Sequence, residues 1–437
     1  MVIGVDFKKV VGEVKPMHAT NNGPIRGIGF GAQKTNGFED WKESGIPYVR
    51  THDSSFCANY GGEHTVDINA VFPDFDADVN SESSYDFKIT DNYFSQIYSC
   101  NSKVFYRLGS KIEHEVKKYN TLPPKDFKKW AQICEHIIMH YTEGWANGFN
   151  YDMEYWEIWN EPDLDLDDSD NKRTWGGTKL EFFEFYKVAS LYLKKRFPHL
   201  KIGGPASSYR WGWMQEFIEF VARENLPLDF FSWHCYTTRP EEFKERNEYV
   251  RKWLCDAGLN KTESILNEWN YVRDWNDFIY SLKQIISLKG AAFTASCMLI
   301  SQNDTSIDML MYYDARPSHY NGLFDFYTNE RLKGYYPFLM FNSLYKLKNA
   351  CECSVSGNGL YAAAATNGAE KAVMFSLFTD DDADIEKREV TLNFKDCTEQ
   401  FEVLLLDEEN DAKSVMRVRS GEKLTLSPNS VCLLKSL

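Results

Sequence analysis

Short apolar segments of strand length alternate with helical segments along most of this 437-residue chain. Eight segments before residue 315 have the apolar, β-branched and aromatic content of buried strands. The predicted strands span residues 25–31, 48–53, 103–109, 155–159, 201–206, 230–236, 264–270 and 306–314. Alternating strands and helices favour a parallel sheet, and eight repeats favour its closure into a (β/α)8, or TIM, barrel.

The composition changes after about residue 347, where short strands separated by turn residues replace the alternating pattern. Such a series is typical of an antiparallel β-sandwich. The apolar N-terminal residues read as one more strand of that domain. Because the chain is too long for a single ordinary core, we predict a barrel over residues 16–345 and an accessory sandwich built from 1–15 and 346–437.

Charge and hydrophobicity exclude several classes of partner. The chain carries 49 basic and 64 acidic residues, for a net charge of −15, and this negative field disfavours nucleic acid. No apolar run has membrane-spanning length, so no membrane partner is expected. The N-terminal residues lack a signal-peptide pattern, which predicts a cytoplasmic protein unless a leader has been removed. The sequence predicts no oligomeric state.

Three patterns suggest metal sites, and none is complete. The close cysteine pair Cys351 and Cys353 has no second pair for zinc, and the ten cysteines lack disulfide spacing, which fits a reducing compartment. His136 and His140 lie one helical turn apart, but the glutamate of a zinc-peptidase helix is missing. The acidic run 163–170 lacks the glycine and glutamate of a calcium loop. We therefore predict no metal and no cofactor.

Two predicted strands deliver a glutamate at their C-terminal ends. The fourth strand runs into Asn160-Glu161-Pro162, where the proline cannot donate to a strand ladder and ends the strand. The seventh strand carries Glu268 in the same position. The C-terminal face of such a barrel is where its chemistry is done. Two carboxyl groups facing each other there are the requirement for glycoside hydrolysis.

The chemistry of that reaction assigns roles to these residues. Glu161 is predicted to be the proton donor, its pKa raised by aromatic neighbours and the second carboxylate, and Glu268 the nucleophile. Asn160 is expected to hold the sugar 2-hydroxyl, and Tyr236 to donate a hydrogen bond to Glu268. Further substrate-binding candidates near the strand ends are His52, Asp53, His234, Trp269 and Tyr312.

Three of these candidates have an equally good structural interpretation. His52 fits a buried histidine that satisfies backbone groups about as well as a substrate contact. Trp269 and Tyr312 suit barrel packing as well as a sugar-stacking platform. Aromatic residues make up 15% of the chain, and much of that content must belong to the core. The long polar and aromatic insertion 54–86 is interpreted as a wall or lid of the site, because long loops in compact enzymes commonly have that function.

Several motifs together resemble the clan A retaining glycoside hydrolases, most closely family 39, the β-xylosidase and α-L-iduronidase family. The residues that carry the likeness lie in 157–162, 204–206, 229–236 and 267–269, with weaker likeness at 14–16 and 49–52. The resemblance implies that Glu161 is the acid/base and Glu268 the nucleophile, with Asn160 on the 2-hydroxyl and Tyr236 on the nucleophile. This chain departs from the family at Asn267, where threonine is frequent, and in the insertion 54–86.

The expected activity is therefore that of a retaining exo-acting glycoside hydrolase of β-xylosidase type with a carbohydrate substrate. Alternatives within the clan are an α-L-arabinofuranosidase, a β-glucosidase or an α-L-iduronidase-like enzyme. A non-catalytic carbohydrate-binding barrel is the alternative from another class. The presence of both carboxylates with their supporting asparagine and tyrosine speaks against it.

Overall fold

The computed structural model describes residues 1–24, 37–52, 55–57, 61–64, 66–303, 306–316 and 318–437, with backbone alone for 55–57 and 61–64. An eight-stranded closed barrel and a curled sheet of nine strands contain nearly all of the strands in this part of the chain. The predicted fold class, a (β/α)8 barrel followed by a β domain, is confirmed.

The strands of the described residues are numbered in chain order. They are β1 (Val2–Glu13), β2 (Ala19–Asn21), β3 (Tyr48–Thr51), β4 (Ser55–Cys57), β5 (Gly61–His64), β6 (Lys103–Leu108), β7 (Tyr155–Ile158), β8 (Lys201–Ser207), β9 (Phe230–Thr237), β10 (Glu263–Tyr271), β11 (Met309–Tyr312), β12 (Asn349–Ser356), β13 (Leu360–Thr366), β14 (Lys371–Leu377), β15 (Arg388–Phe394), β16 (Phe401–Leu406), β17 (Asp411–Val418), β18 (Lys423–Leu426) and β19 (Ser430–Ser436). The pair β4–β5 forms a separate two-stranded sheet.

The barrel closes in the order β2, β3, β6, β7, β8, β9, β10 and β11, with all neighbours parallel. Side chains from six of these strands fill its interior, namely Ala19, Phe105, Tyr155, Phe230, Ile265, Met309 and Met311. The first barrel strand is β2, whereas the sequence predicted residues 25–31, which lie outside the described residues. At three residues, β2 is too short to produce a hydrophobic pattern, but it pairs with both β11 and β3.

Helices follow most of the barrel strands and form its outer layer. The described residues contain α1 (Phe38–Ser44), α2 (Ile68–Val71), α3 (Lys88–Ser99), α4 (Phe127–Thr142), α5 (Lys179–Arg196), α6 (Trp211–Arg223), α7 (Glu241–Asp256), α8 (Phe278–Ile285), α9 (Leu288–Asn303) and α10 (Tyr336–Leu347), with 3-10 turns at Glu82–Ser84, Trp145–Asn147 and Lys333–Tyr335. None of the described helices could by itself cross a membrane by length and hydrophobicity; α8 and α9 reach both criteria only as a pair bent by 79°.

The C-terminal strands form one curled sheet in the order β17, β16, β19, β14, β13, β12, β1, β15 and β18. The sheet curls far enough for Phe394 of β15 and Phe401 of β16 to pack with ring centroids 5.1 Å apart. One pair departs from the antiparallel prediction, since β1 runs parallel to β15. A strand from the other end of the chain has no hairpin connection to its neighbour, so it is free to pair in either direction.

The sheet packs against the barrel through α9, in which 14 of 16 residues are buried. Ser376 of β14 donates a hydrogen bond to Ala292 O of α9 at 3.1 Å. The loop after β14 also reaches the strand that carries Glu268, because Asp380 accepts hydrogen bonds from Tyr271 at the end of β10 and, through its carbonyl, from Lys289. The sheet therefore supports one side of the barrel's C-terminal face.

Candidate active site

A cleft of about 720 Å³ opens at the C-terminal ends of the barrel strands, and both predicted glutamates lie in it. Its lining also includes four of the predicted substrate-binding residues, namely Asn160, His234, Tyr236 and His52. The remaining lining residues are Ile112, His114, Leu164, Arg173, Ser208, Tyr209, Arg246, Trp275, Tyr313 and Tyr320. The fold thus brings together side chains that are more than 200 residues apart in sequence.

Glu161 reaches the cleft because the chain turns sharply after β7. Trp159 and Glu161 both have left-handed backbone conformations, with φ of 76° and 47°, which are unfavourable for residues other than glycine. The surrounding structure holds the turn, since Glu161 N donates to Ala206 O at 2.9 Å and Thr174 Oγ1 donates to Glu161 O at 2.5 Å. Strained backbone of this kind is concentrated at functional sites.

Glu268 reaches the cleft through a β-bulge in β10. The strand pairs Leu266 with Trp233 and Glu268 with His234, so Asn267 is an extra residue with no partner on β9. Bulges redirect side chains next to active sites. As a result both Asn267 and Glu268 face the barrel interior, where Asn267 contacts Glu157 and Glu268 contacts Arg50.

The two carboxylates are close enough to act on one bond. A carboxylate oxygen of Glu161, one of Glu268 and a ring nitrogen of His234 all lie within 4.8 Å of one another. His234 lies between the two, with Nδ1 2.8 Å from Glu161 Oε1 and Nε2 3.7 Å from Glu268 Oε2. Burial lowers the pKa of His234 to about 4, so the imidazole is neutral at physiological pH and forms a hydrogen bond with Glu161.

The surroundings of Glu268 keep it aimed into the cleft. Tyr236 Oη donates to Glu268 Oε1 at 2.7 Å, and Arg50 Nη1 donates to Oε2 at 3.3 Å. Burial raises the pKa of Glu268, and the Glu161 carboxylate adds to this, while His234, Arg50 and the hydrogen bond from Tyr236 oppose it. Burial together with the Glu268 charge raises the pKa of Tyr236 well above its ordinary value, so this phenol remains a donor.

Arg50 lies at the bottom of the cleft and holds several of its side chains in place, a role that the sequence alone did not indicate. Its guanidinium is fully buried and donates from Nη2 to Asn160 Oδ1 at 2.6 Å and from Nε to Glu157 Oε2 at 2.7 Å. The bond to Asn160 occupies the amide oxygen and leaves the amide nitrogen to donate to a ligand. Burial disfavours the charge of Arg50, but the carboxylates of Glu157 and Glu268 outweigh it and raise its pKa.

Two predicted sugar platforms do not line the cleft. Trp269 is fully buried on the outer side of β10, where its ring lies 5.3 Å from that of Phe243 and 5.3 Å from that of Tyr312. Tyr312 packs on Phe338 and is equally buried. The prediction that these two residues contact the substrate is therefore wrong. Both side chains face the surrounding helices, where they are part of the core.

The remaining two candidates, His52 and Asp53, follow the second barrel strand in the sequence. His52 lines the cleft with Nε2 3.9 Å from Glu268 Oε2, and its Nδ1 accepts a hydrogen bond from Arg107 Nε at 3.2 Å. Asp53 lies outside the described residues, so its predicted contact with substrate stays a prediction.

The exposed tryptophan of the cleft was missed by the sequence analysis. Trp275 is 58% exposed and packs its ring 5.2 Å from that of Tyr236. We expect Trp275→Ala to raise KM for an aryl glycoside about fivefold, because an aromatic platform contributes about 1 kcal/mol, and to leave the melting temperature unchanged. Trp269→Ala should instead cost about 3–5 kcal/mol of stability. Equal KM values for Trp275→Ala and wild type would contradict the assignment.

A buried aspartate near Glu161 should make the stability of the folded protein depend on pH. Asp163 accepts hydrogen bonds from the backbone N–H of Ser208 at 2.9 Å and of Arg210 at 3.4 Å, just before α6. Burial, with a contribution from the Glu161 charge, raises the pKa of Asp163 from 3.8 to about 7. The folded state therefore binds this proton more tightly than the unfolded chain, and the ionised group costs stability once the pH rises above 4.

Asp163→Asn mimics the protonated form and keeps an acceptor for both N–H groups. We expect its melting temperature to equal that of wild type near pH 4 and to exceed it increasingly up to about pH 7, where the difference levels off. Thermal unfolding across pH 4–8 measures this. A variant that is destabilised by the same amount at every pH would show that the carboxylate itself is needed.

Glu161, His234 and Glu268 form a donor set that by geometry alone could hold a cation. The guanidinium of Arg50, 3.3 Å from Glu268, already places a positive charge there and disfavours a second one. In the acidic run 163–170, Asp165 pairs with Arg173 and Asp167 accepts a hydrogen bond from Lys179 N. His140 pairs with Asp91 at 2.9 Å.

The known proteins that are similar in sequence to this chain include two β-xylosidases. The chain is 27% identical over 241 residues to a β-xylosidase of Geobacillus stearothermophilus, which covers 52% of this chain and 43% of that protein. It is 29% identical over 218 residues to a β-xylosidase of Caldicellulosiruptor saccharolyticus, covering 46% and 40%. The chain thus spans less than half the length of the curated relatives it matches.

Among solved structures, a glucosidase from Croceicoccus marinus has the same fold, with a TM-score of 0.79, 21% identity and coverage of 100% of this chain and 98% of that one. The sequence profile described as Glycosyl hydrolases family 39 matches residues 9–267. This match covers more than half of the chain, includes the strand end with Glu161, and ends within β10 one residue before Glu268. The chain belongs to glycosyl hydrolases family 39.

Proposed function

We propose that this protein is a retaining glycoside hydrolase that removes terminal sugars from β-xylosides. The observation that carries the proposal is the separation of the two glutamates, since one carboxylate oxygen of Glu161 lies within 4.8 Å of one of Glu268. Retaining enzymes have carboxyl groups about 5–5.5 Å apart, whereas inverting enzymes need about 6.5–9.5 Å to admit a water. The family membership and the β-xylosidase relatives support the sugar class.

In the first half of the reaction, Glu268 attacks the anomeric carbon while Glu161 protonates the leaving oxygen. The C–O bond to the leaving group breaks, and an ester between the sugar and Glu268 forms. Tyr236 and Arg50 hold Glu268 in position for this attack. Asn160, fixed by Arg50, is oriented to donate to the sugar 2-hydroxyl, a contact that strengthens in the transition state.

In the second half, Glu161 acts as a base. It takes a proton from water, the hydroxide attacks the same carbon, and the ester to Glu268 breaks with net retention of configuration. The neutral imidazole of His234 suits both halves, because it can accept a hydrogen bond from protonated Glu161 or donate one to the carboxylate. A cationic histidine would instead hold Glu161 ionised and weaken it as an acid.

The charges in the cleft support a neutral sugar over a uronic acid. Arg173 is bound in a bidentate manner by Asp165, with contacts of 2.7 to 3.2 Å, and Arg246 pairs with Glu242 at 2.7 Å. A sugar carboxylate would have to displace these partners and to approach the negatively charged nucleophile Glu268. A xyloside has no carboxylate and meets neither obstacle.

A panel of nitrophenyl glycosides tests the proposal. It should include the β-xyloside, β-glucoside, α-L-arabinofuranoside and α-L-iduronide, and we expect the highest kcat/KM with the β-xyloside. Proton NMR of the first-formed sugar should show the β anomer. A preference for another glycoside would reassign the sugar class, and an inverted anomer would overturn the mechanism. Sugar binding without turnover on any substrate would support the carbohydrate-binding alternative.

A further inference from the structure

A second glutamate of the fourth barrel strand lies beneath the cleft. Glu157 belongs to β7, four residues before Glu161, and is fully buried. Its Oε1 accepts hydrogen bonds from Ser232 Oγ at 2.6 Å and Asn267 Nδ2 at 2.5 Å, and its Oε2 accepts one from Arg50 Nε at 2.7 Å. Three donors from three different strands thus converge on one carboxylate, which can only accept.

Two of these donors lead directly to Glu268. Arg50, bound through Nε to Glu157, donates from Nη1 to Glu268 Oε2 at 3.3 Å and from Nη2 to Asn160 at 2.6 Å. Asn267 is the extra residue of the bulge that turns Glu268 into the cleft. Glu157 therefore contacts both the cation that pairs with Glu268 and the side chain of Asn267, the bulge residue next to Glu268.

The third donor leads to Glu161. Ser232 Oγ accepts a hydrogen bond from Ala206 N at 2.9 Å, so its own proton is left to donate to Glu157. Ala206 in turn accepts from Glu161 N at 2.9 Å and has a left-handed φ of 57°. This second chain of contacts connects Glu157 to the strained turn that presents Glu161.

We propose that Glu157 is a positioning residue that sets the geometry of Glu161 and Glu268 together. The inference rests on the proposed glycosidase function and adds a residue that contacts neither the substrate nor the reacting atoms. Glu157 acts through Arg50 and Asn267 on one side and through Ser232 on the other. One buried carboxylate thereby couples the two halves of the catalytic pair.

The charge of Glu157 also affects Glu268, because the two carboxylates share the guanidinium of Arg50. The titratable and charged groups that face Glu268 are Arg50, His52, Glu161, His234, Tyr236 and Tyr320. Without the negative charge at 157, Arg50 has Glu268 as its remaining carboxylate partner among the described residues. Glu268 should then ionise at a lower pH.

Glu157→Gln tests the inference. Glutamine offers one acceptor oxygen to three donors, so at least one contact is lost and the pair of glutamates shifts. We expect kcat/KM to fall at least about 100-fold, the size of effect that small misplacements produce. In the pH profile of kcat/KM, the rise on the acidic side (the acid limb) reports the ionisation of Glu268. We expect this acid limb to move to lower pH by about one unit. A merely structural residue would not move this limb.

Two further variants separate the possible causes. Glu157→Asp keeps the charge but shortens the side chain, so it should lose activity while its acid limb stays in place. Glu263→Gln makes the same neutral exchange on β10, at the opposite end of the barrel, where Glu263 pairs with Lys201 at 2.6 Å. We expect it to keep the kcat/KM and pH profile of wild type, and its melting temperature calibrates the effect of a lost ion pair.

The outcomes distinguish this inference from the proposed function. If wild type hydrolyses none of the glycosides, the function itself fails. If wild type is active and folded Glu157→Gln keeps its rate and its acid limb, the positioning role is wrong. Should Glu157→Gln not fold, Glu157→Asp decides, because a folded variant with wild-type kcat overturns the inference and one with at least a tenfold loss in kcat supports it.

Discussion

Replacing Glu268 with glutamine is expected to lower kcat/KM by at least about 10⁴-fold, because the amide cannot form the glycosyl ester. Glutamine keeps the size of the side chain and an oxygen that can accept from Tyr236, so the cleft should retain its shape. The rate of release of nitrophenol from the preferred glycoside measures the loss. A folded variant with more than about a tenth of wild-type activity would remove Glu268 from the role of nucleophile.

A 2-fluoro glycoside with a good leaving group gives an independent readout. Wild type should gain the mass of one fluorosugar, and peptide mapping should locate it on Glu268, while Glu268→Gln should gain none. Glu263→Gln serves as the matched control, since it alters a glutamate of the same strand at the far end of the barrel. A label on any other side chain would reassign the nucleophile.

Replacing Glu161 with alanine is expected to affect substrates according to their leaving group. Hydrolysis of a xylobiose-type substrate should fall by about 10²–10⁴-fold, the range that general acid catalysis contributes. A dinitrophenyl glycoside needs no proton to leave, so its first step should stay within about tenfold of wild type. Hydrolysis of the glycosyl ester then becomes slow, because no base activates water.

Azide should restore turnover of the dinitrophenyl glycoside by this variant. The small anion can enter the space left by the side chain and attack the ester without a base, which gives a glycosyl azide of retained configuration. NMR of the product identifies it. Equal losses on both substrates, or no azide product, would place the acid/base at another residue.

The positions of both glutamates could be predicted because each follows an apolar run that ends at a recognisable signal. Pro162 marks the end of the fourth strand, and the spacing of His234 and Tyr236 places both on one side of the sixth. Strand periodicity accounts for the shared side of His234 and Tyr236, whereas Glu268 also needs the bulge at Asn267. The proposed roles follow from chemistry and remain to be tested.

Other features lacked any signal in the sequence. Barrel strands are buried on both faces, so β11 is apolar throughout and gives no contrast to show that Tyr312 faces outward. No glycine marks the bulge at Asn267, whose side chain contacts Glu157 in the barrel interior. Arg50 resembles any charged residue at a strand end until the carboxylates around it are known.

The burial of α9 has a consequence for attempts to divide this protein. Water reaches little of α9, since 14 of its 16 residues are buried, and Phe293 contacts both Trp269 of β10 and Phe378, which directly follows β14. Cutting the chain between the two units would leave an apolar helix uncovered and prone to self-association. Anyone who exchanges the C-terminal sheet for another module must therefore redesign this helix as well.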